Sequence, residues 1–409
     1  MKLTKLSLVA VVFIGSSLFA IENTKISGDA RVYYGTKDSN SAGSPDMFDK
    51  ESSYFDFAAR VDVTTDLVSN VSAGIGLQVV STLDAENSFA EQAWSGSHVQ
   101  DGSNTEESIW IDEVWLAGTA LDTTLKVGRQ VLDTPMVFSE TWGVDKNTFE
   151  AGLLTNKTIT DTDLIFAYIH NSNGSAQDTD TRGVASQAGY VSVDGDFHRM
   201  GDDGVFIFGV KSKSIKLLTL QAWYYDETDI SETFWLQADF SSDEILAGVQ
   251  LLNKELDSNS DDTTAYSVML GYKIKDMATV KVAYSNVDDG ATDIANLATG
   301  AGNGGQSKLY TELWWNYGQV SLPGAEAIAI STEANMLSAD WFLGLYNVKV
   351  DPNDVTVDTE ISELTLVVSK SFGALDTSLA IIYADGKDNV DSTNDYKSTD
   401  LQVYLTYSF

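Results

Sequence analysis

The chain has no cysteine, three histidines (His98, His170 and His198) and four prolines in 409 residues. Without thiols there can be no disulfide scaffold, no Cys/His zinc site and no cysteine nucleophile. Basic residues are also scarce: 25 Lys and Arg stand against 60 Asp and Glu, a net charge of −35. So acidic a chain repels phosphate, so no nucleic-acid partner is expected. Beyond residue 20 there is no apolar run long enough to cross a bilayer as a helix. At 43% apolar the chain is nonetheless too hydrophobic to stay disordered.

Residues 1–20 differ from the rest. Lys2 and Lys5 give a positive start, Leu6–Ile14 an apolar run, and Gly15, Ser16, Ser17 and Ala20 a small-residue end. This is the build of a secretory signal peptide, with cleavage expected after Ala20. The run is shorter than the roughly 20 residues an anchor needs. An exported protein without helical spans can enter a membrane only as a closed barrel, because lipid leaves no backbone polar group unpaired without cost. Residues 21–409 read as one domain, with no second unit and no 20–50-residue repeat.

What the chain has in abundance is alternation of period two. Phe55, Phe57, Ala59, Val61 and Val63 oppose Asp56, Ala58, Arg60 and Asp62. Val71, Ala73, Ile75, Leu77 and Val79 oppose Ser72, Gly74, Gly76 and Gln78. Leu309, Thr311, Leu313, Trp315 and Tyr317 oppose Tyr310, Glu312, Trp314 and Asn316. The end alternates likewise, from Leu401 through Val403, Leu405 and Tyr407 to Phe409. Soluble sandwiches also alternate. Here, however, many runs reach bilayer-crossing length, and short links such as 65–69 and 372–375 interleave with long ones such as 81–107 and 171–203. Aromatics gather near run ends, among them Tyr33, Tyr34, Trp223, Tyr224, Tyr225 and Tyr383, as in interfacial girdles.

The pattern predicts an all-β transmembrane antiparallel barrel of 18 strands, with 16 as the alternative. The strands run from 26–34, 53–64 and 70–80 onward to 308–318, 336–350, 359–371, 376–385 and 398–409. Residues 319–335 read as an irregular turn.

At this point a resemblance emerges. The opening MKLTKLSLVA, the segment Ile26–Gly35 and the block LKVGRQVLDTPMVFSETWGVDKNTFEAGLLTNK at Leu125–Lys157 resemble the Campylobacter-type major outer membrane porins, distant relatives of OprD-type channels. The final Leu401–Phe409 resembles the insertion signal of outer-membrane barrels generally. The resemblance implies a homotrimer of 18-stranded barrels in the bacterial outer membrane, passing ions and small hydrophilic solutes with a preference for cations. It also implies that the loop within the block folds inward as a constriction.

Parity assigns faces. Asp29, Arg31, Asp56, Arg60, Asp62, Lys126, Glu150, Lys281 and Glu312 point into the lumen, whereas Arg129 falls on the lipid side unless a bulge or the rim redirects it. The candidate constriction, 131–147, carries Asp133, Glu140 and Asp145 with Lys146 as its base. Together with Glu150 these would face Arg31, Arg60, Lys126 and Arg129 across an eyelet, where carboxylates favour cations. No cofactor is expected. Asp257, Asn259 and Asp261 place oxygen donors two apart, a spacing a structural Ca2+ accepts, although turn formation explains the same residues. Acidic outer loops suit divalent bridges to lipopolysaccharide. Two rival readings remain open: a barrel that only anchors a surface adhesin, and an outer-membrane hydrolase using one of the histidines.

Overall fold

The computed structural model describes residues 22–91, 107–174, 195–258, 260–300, 305–352 and 357–409. The expected leader 1–20, His98 and much of the loops 81–107 and 171–203 lie outside the described residues. Eighteen strands form one antiparallel sheet. They are β1 (Glu22–Ser39), β2 (Ser53–Val68), β3 (Val71–Ser81), β4 (Ser108–Ala120), β5 (Thr123–Gln130), β6 (Phe149–Asn156), β7 (Thr162–Ser172), β8 (Val205–Ser212) and β9 (Leu218–Glu227). β10 (Ser231–Ser241), β11 (Ile245–Leu256), β12 (Thr263–Ile274), β13 (Ala278–Val287), β14 (Ala325–Met336), β15 (Ala339–Val350), β16 (Thr359–Phe372), β17 (Leu375–Asp388) and β18 (Tyr396–Ser408) follow. A two-residue stub, His198–Arg199, pairs with the end of β7.

Each strand pairs with its sequence neighbours, and β1 pairs with β18 from Asp29↔Ser408 to Ser39↔Ser398, which closes the cylinder. Gly28 and Phe409 exchange both backbone hydrogen bonds at 3.0 Å, fixing the chain end to the first strand. Closure removes the sheet edges that lipid would leave unsatisfied. No described helix is long and apolar enough to cross a membrane.

The short connections lie at one end of the barrel. Leu337 and Ser338 both have φ of +57°, the mirror-image geometry that a two-residue hairpin needs to match strand twist. The long connections lie at the other end, together with the three-residue link 228–230. The outward face is apolar and exposed: Leu116 pairs with Val127, and Leu251 and Leu270 stand on the same surface. Phe166, Phe208, Tyr224 and Phe234 form one outer aromatic row, with ring centroids 4.9 to 6.3 Å apart from strand to strand. Tyr272, Phe372, Tyr407 and Phe409 stand exposed near the short-turn end. Two aromatic levels with an aliphatic band between them match lipid and its interfaces.

One strand is not where periodicity puts it. Residues 308–318 form bends and turns, while 325–336, mostly inside the expected irregular turn, is β14. The total of 18 is unchanged because one misplacement cancels the other. Leu309, Thr311 and Leu313 alternate because they are buried against other parts of the interior, not because they pair in a sheet. Burial on one side of an extended segment produces the same period as a strand.

Candidate functional site

Two long connections fold into the lumen. The first, 131–148, leaves β5 and returns to β6. Leu132, Met136 and Val137 are buried against inward side chains of the wall, among them Phe149, Tyr225 and Trp235. The Met136 N–H donates to the Tyr225 hydroxyl at 3.3 Å. The second, 288–324, joins β13 to β14 and buries Ile294, Leu297, Leu309, Leu313 and Val320 in the same cluster. The wall beneath is lined with Ile169, Ile207, Leu252, Ala265, Ala327 and Val348, so one side of the lumen is packed dry. Burying apolar surface holds both loops down, and the chain has no cysteine to bridge them.

Polar contacts lock the loops to each other. The Leu297 N–H donates to the Met136 carbonyl at 2.8 Å. Asn296 Nδ2 donates to the Phe138 carbonyl at 2.8 Å and to Glu140 Oε1 at 3.0 Å, and the Thr299 hydroxyl and the Gln306 N–H reach the same oxygen at 2.6 and 3.1 Å. Glu140 is therefore a buried brace, and burial raises its carboxyl above the usual range despite these donors. Lys308 Nζ meets Asp133 at 3.0 Å and lies 4.2 Å from the Phe138 ring centre. That pair is exposed and contributes at most about 1 kcal/mol.

Inward polar side chains also stand on β10, β11, β13 and β14, at Asp239, Gln250, Lys281 and Glu333, and a further charged strip is carried by β16–β18, β1–β5 and the adjacent faces of the loops. Asp29 and Arg31 pair at 2.7 Å, and Arg31 Nη1 donates to the Gly143 carbonyl at 2.9 Å, tying the first loop to β1. Arg60 meets Asp62 and Glu113 at 2.7 Å and Asp112 at 3.0 Å. Lys146 from the loop meets Glu113 at 2.7 Å and Asp112 at 3.8 Å. Lys126 Nζ lies 4.3 Å from the Trp115 ring centre. A shift in register between Gly76 and Leu77 lets Asp112 and Glu113, neighbours in sequence, both reach Arg60. Strict alternation puts consecutive residues on opposite faces, which is why sequence parity misses this pair.

Several sequence expectations need correcting. Glu140 and Asp145 are almost fully buried and present no carboxylate to a water-filled eyelet; Asp133 is exposed but bound to Lys308. Glu150 pairs with Arg129 in register, and Arg129 pairs with Val114, whose side chain is exposed on the apolar outer surface. Both charges therefore lie on the outer side of the wall, where they meet at 2.8 Å beneath Phe197 and where Asn171 donates to Glu150 at 2.6 Å. Strict parity thus holds for Arg129, and the lumen assignment of Glu150 and the eyelet role given to both do not. Asp29, Arg31, Asp56, Arg60, Asp62, Lys126 and Lys281 do sit on the inner face, Lys281 bound to Glu333 at 2.7 Å. Glu312 is inside as well, but on the second loop. Asp257 and Asp261 are exposed, Asn259 lies outside the described residues, and no three-ligand metal cluster occurs among the described residues. His170 is exposed, with Nδ1 3.4 Å from the Tyr168 hydroxyl.

Glu312 gives the loops a pH response. Its oxygens accept from the Ser307 N–H at 2.7 Å, the Ser307 hydroxyl, and the Gly318 N–H at 2.8 Å. Burial nevertheless pushes its carboxyl up to about 7, with Glu140 adding to the shift. The folded loop thus holds a proton that the freed loop would release nearer 4.5. Its contribution is full at acid pH and falls as pH rises through about 7. Current noise from loop motion should grow between pH 5 and 8, and Glu312→Gln should flatten that dependence. An equal slope in the variant would show that another group is responsible.

With this geometry in hand, comparison with known proteins is informative at the level of fold. OccAB1 of Acinetobacter baumannii superposes with a TM-score of 0.73 at 15% identity, covering 96% of this chain and 98% of that one. OpdK of Pseudomonas aeruginosa, solved with vanillate, gives 0.72 at 11%, covering 95% and 100%. OccK3 (OpdO) of the same organism gives 0.70 at 12%, covering 98% and 99%. The chain therefore has the 18-stranded fold of OprD-type outer-membrane porin channels. No family model matches. Among curated sequences, an uncharacterized oxidoreductase of Staphylococcus aureus strain USA300 is 36% identical over 85 residues, 21% of this chain and 34% of that one, and its counterpart in strain NCTC 8325 matches equally. The chain thus spans about a third of the length of these curated relatives. The structural neighbours, by contrast, match nearly end to end.

Proposed function

We propose that this protein is an outer-membrane porin through which ions and small hydrophilic solutes diffuse passively, with cations preferred. The observation that carries the reading is the division of one closed wall into an apolar outside and an inside bearing a charged strip beside loops that fill the other half. Wide barrels of this class hold an aqueous path. The strip is short of positive charge, since Arg60 and Lys146 together face Asp62, Asp112 and Glu113. A total charge of −35 lowers the potential for cations at the mouth as well.

The narrower kinship with Campylobacter-type major porins rests on the block Leu125–Lys157, and the homotrimer rests on that kinship. Lipopolysaccharide is the proposed neighbour of the acidic outer loops. The test is planar-bilayer recording of the purified, detergent-folded protein. Steady ohmic steps, with a reversal potential in a salt gradient on the cation side, are expected. Absence of steps at any protein concentration sinks the channel reading, and an anion-side reversal potential sinks the selectivity.

A further inference from the structure

The rim at the short-turn end carries lysines that a conducting lumen does not need. Lys211, Lys213 and Lys216 form the densest basic stretch of this acidic chain, and no Asp or Glu occurs between Asp203 and Asp226. Two of them lie in the turn 213–217, which joins β8 to β9. Lys213 and Lys216 are exposed, and neither side chain forms a hydrogen bond or ion pair among the described residues. The neighbouring turn 157–161, from β6 to β7, holds Lys157, which meets Asp163 at 3.5 Å, and Asp161, the one acid within the two turns. The turns are laced together, because the Lys213 N–H donates to the Asp161 carbonyl at 2.7 Å. Asp243 and Glu244, in the turn from β10 to β11, bound the patch on its far side.

Aliphatic side chains stand beside these lysines. Ile159 and Ile215 are each 54% exposed, and Leu217 is 46% exposed. Leu217 has φ of +68°, a left-handed conformation that strains a bulky side chain and suits glycine or asparagine. Leu218, the next residue, pairs with Phe240, which is exposed on the lipid face of β10. Lys216 is two residues from that aromatic level, roughly 7 Å at strand rise. Aromatic levels mark the membrane interface, so the turn sits among headgroups, where phosphate is the anion at hand.

We propose that turns 157–161 and 213–217 form a docking site for an anionic glycerophospholipid of the inner leaflet, the one that short barrel turns face. The phosphodiester lies between Lys213 and Lys216, and the glycerol and upper acyl carbons lie against Ile159, Ile215 and Leu217. Lysine stems cover apolar surface while their ammonium groups reach phosphate, so the mixed composition suits a lipid better than a free anion. Clustered lysines favour acidic lipid over zwitterionic lipid, whose own ammonium group they repel. The site requires the barrel to sit in a bilayer and is independent of what the lumen conducts.

The experiment is native mass spectrometry of the detergent-folded protein with dioleoyl phosphatidylglycerol or dioleoyl phosphatidylcholine at equal concentration. The first phosphatidylglycerol should bind at least about fivefold more tightly than phosphatidylcholine. Lys213→Gln together with Lys216→Gln should abolish that preference. Since neither lysine has a structural partner, the heat-induced loss of the folded electrophoretic band should not move. Ile215→Ser should weaken both lipids and keep the preference, and millimolar inorganic phosphate should not displace the lipid. Equal binding of the two lipids, an unchanged preference in the double variant, or displacement by phosphate alone would overturn the site. Planar-bilayer steps of the double variant should match the parent protein, so failure of the lipid site and failure of the channel reading are told apart.

Discussion

Replacing Arg60 by Met should destabilise the folded barrel by about 3–5 kcal/mol, because it strands a buried carboxylate. Asp112 is 1% exposed and has Arg60 at 3.0 Å, with Lys146 at 3.8 Å as its second cation. Taking Arg60 away leaves Asp62, Asp112 and Glu113 with Lys146 alone in the cluster. The heat-induced loss of the folded electrophoretic band should shift to lower temperature, and the cation permeability ratio should rise. Adding Asp112→Asn should restore most of the thermal loss, since an amide costs far less to bury than an ion. If Arg60→Met melts like the parent protein, Asp112 is not held by the cluster as described.

The second large effect is expected at Glu363. This wall residue of β16 is 2% exposed and accepts from the backbone N–H groups of Trp314, Trp315 and Asn316 at 3.1, 3.1 and 2.9 Å. It also takes the Asn316 side-chain amide and the Thr365 hydroxyl, both at 2.8 Å. Three consecutive backbone donors thus converge on one carboxylate and fix the tip of the second loop. Glu363→Ala orphans them, at about 1–3 kcal/mol each. The docked arrangement should lose population by well over tenfold. Single-channel records should then show larger and noisier steps. Glu363→Gln keeps only part of the acceptor capacity and should fall between. Steps of parental size and quietness in the alanine variant would mean that apolar packing alone secures the loop.

These two sites show what could be read from the chain and what could not. The wall was legible because lipid and water impose opposite demands on alternate residues, and Val71–Val79 and Leu401–Phe409 record this directly. Parity placed Arg31, Arg60 and Asp62 inside correctly. It was blind to Asp112 and Glu113, where a register shift breaks the rule. It was deceived at 309–317, where burial inside the lumen imitates a strand. Acidity in the loop 131–147 suggested an eyelet of carboxylates, but composition does not reveal whether a carboxylate meets water or three hydrogen-bond donors. Glu140 meets donors.

The sequence by itself determined a closed β-cylinder and the lipid-facing side of most of its strands, because those follow from local period and segment length. Only the tertiary structure decided how the interior is divided. Two loops 140 or more residues apart in the chain, joined at Asn296 and Glu140, fill one side with side chains and leave the other charged. That outcome depends on contacts distant in sequence, and no local pattern encodes them.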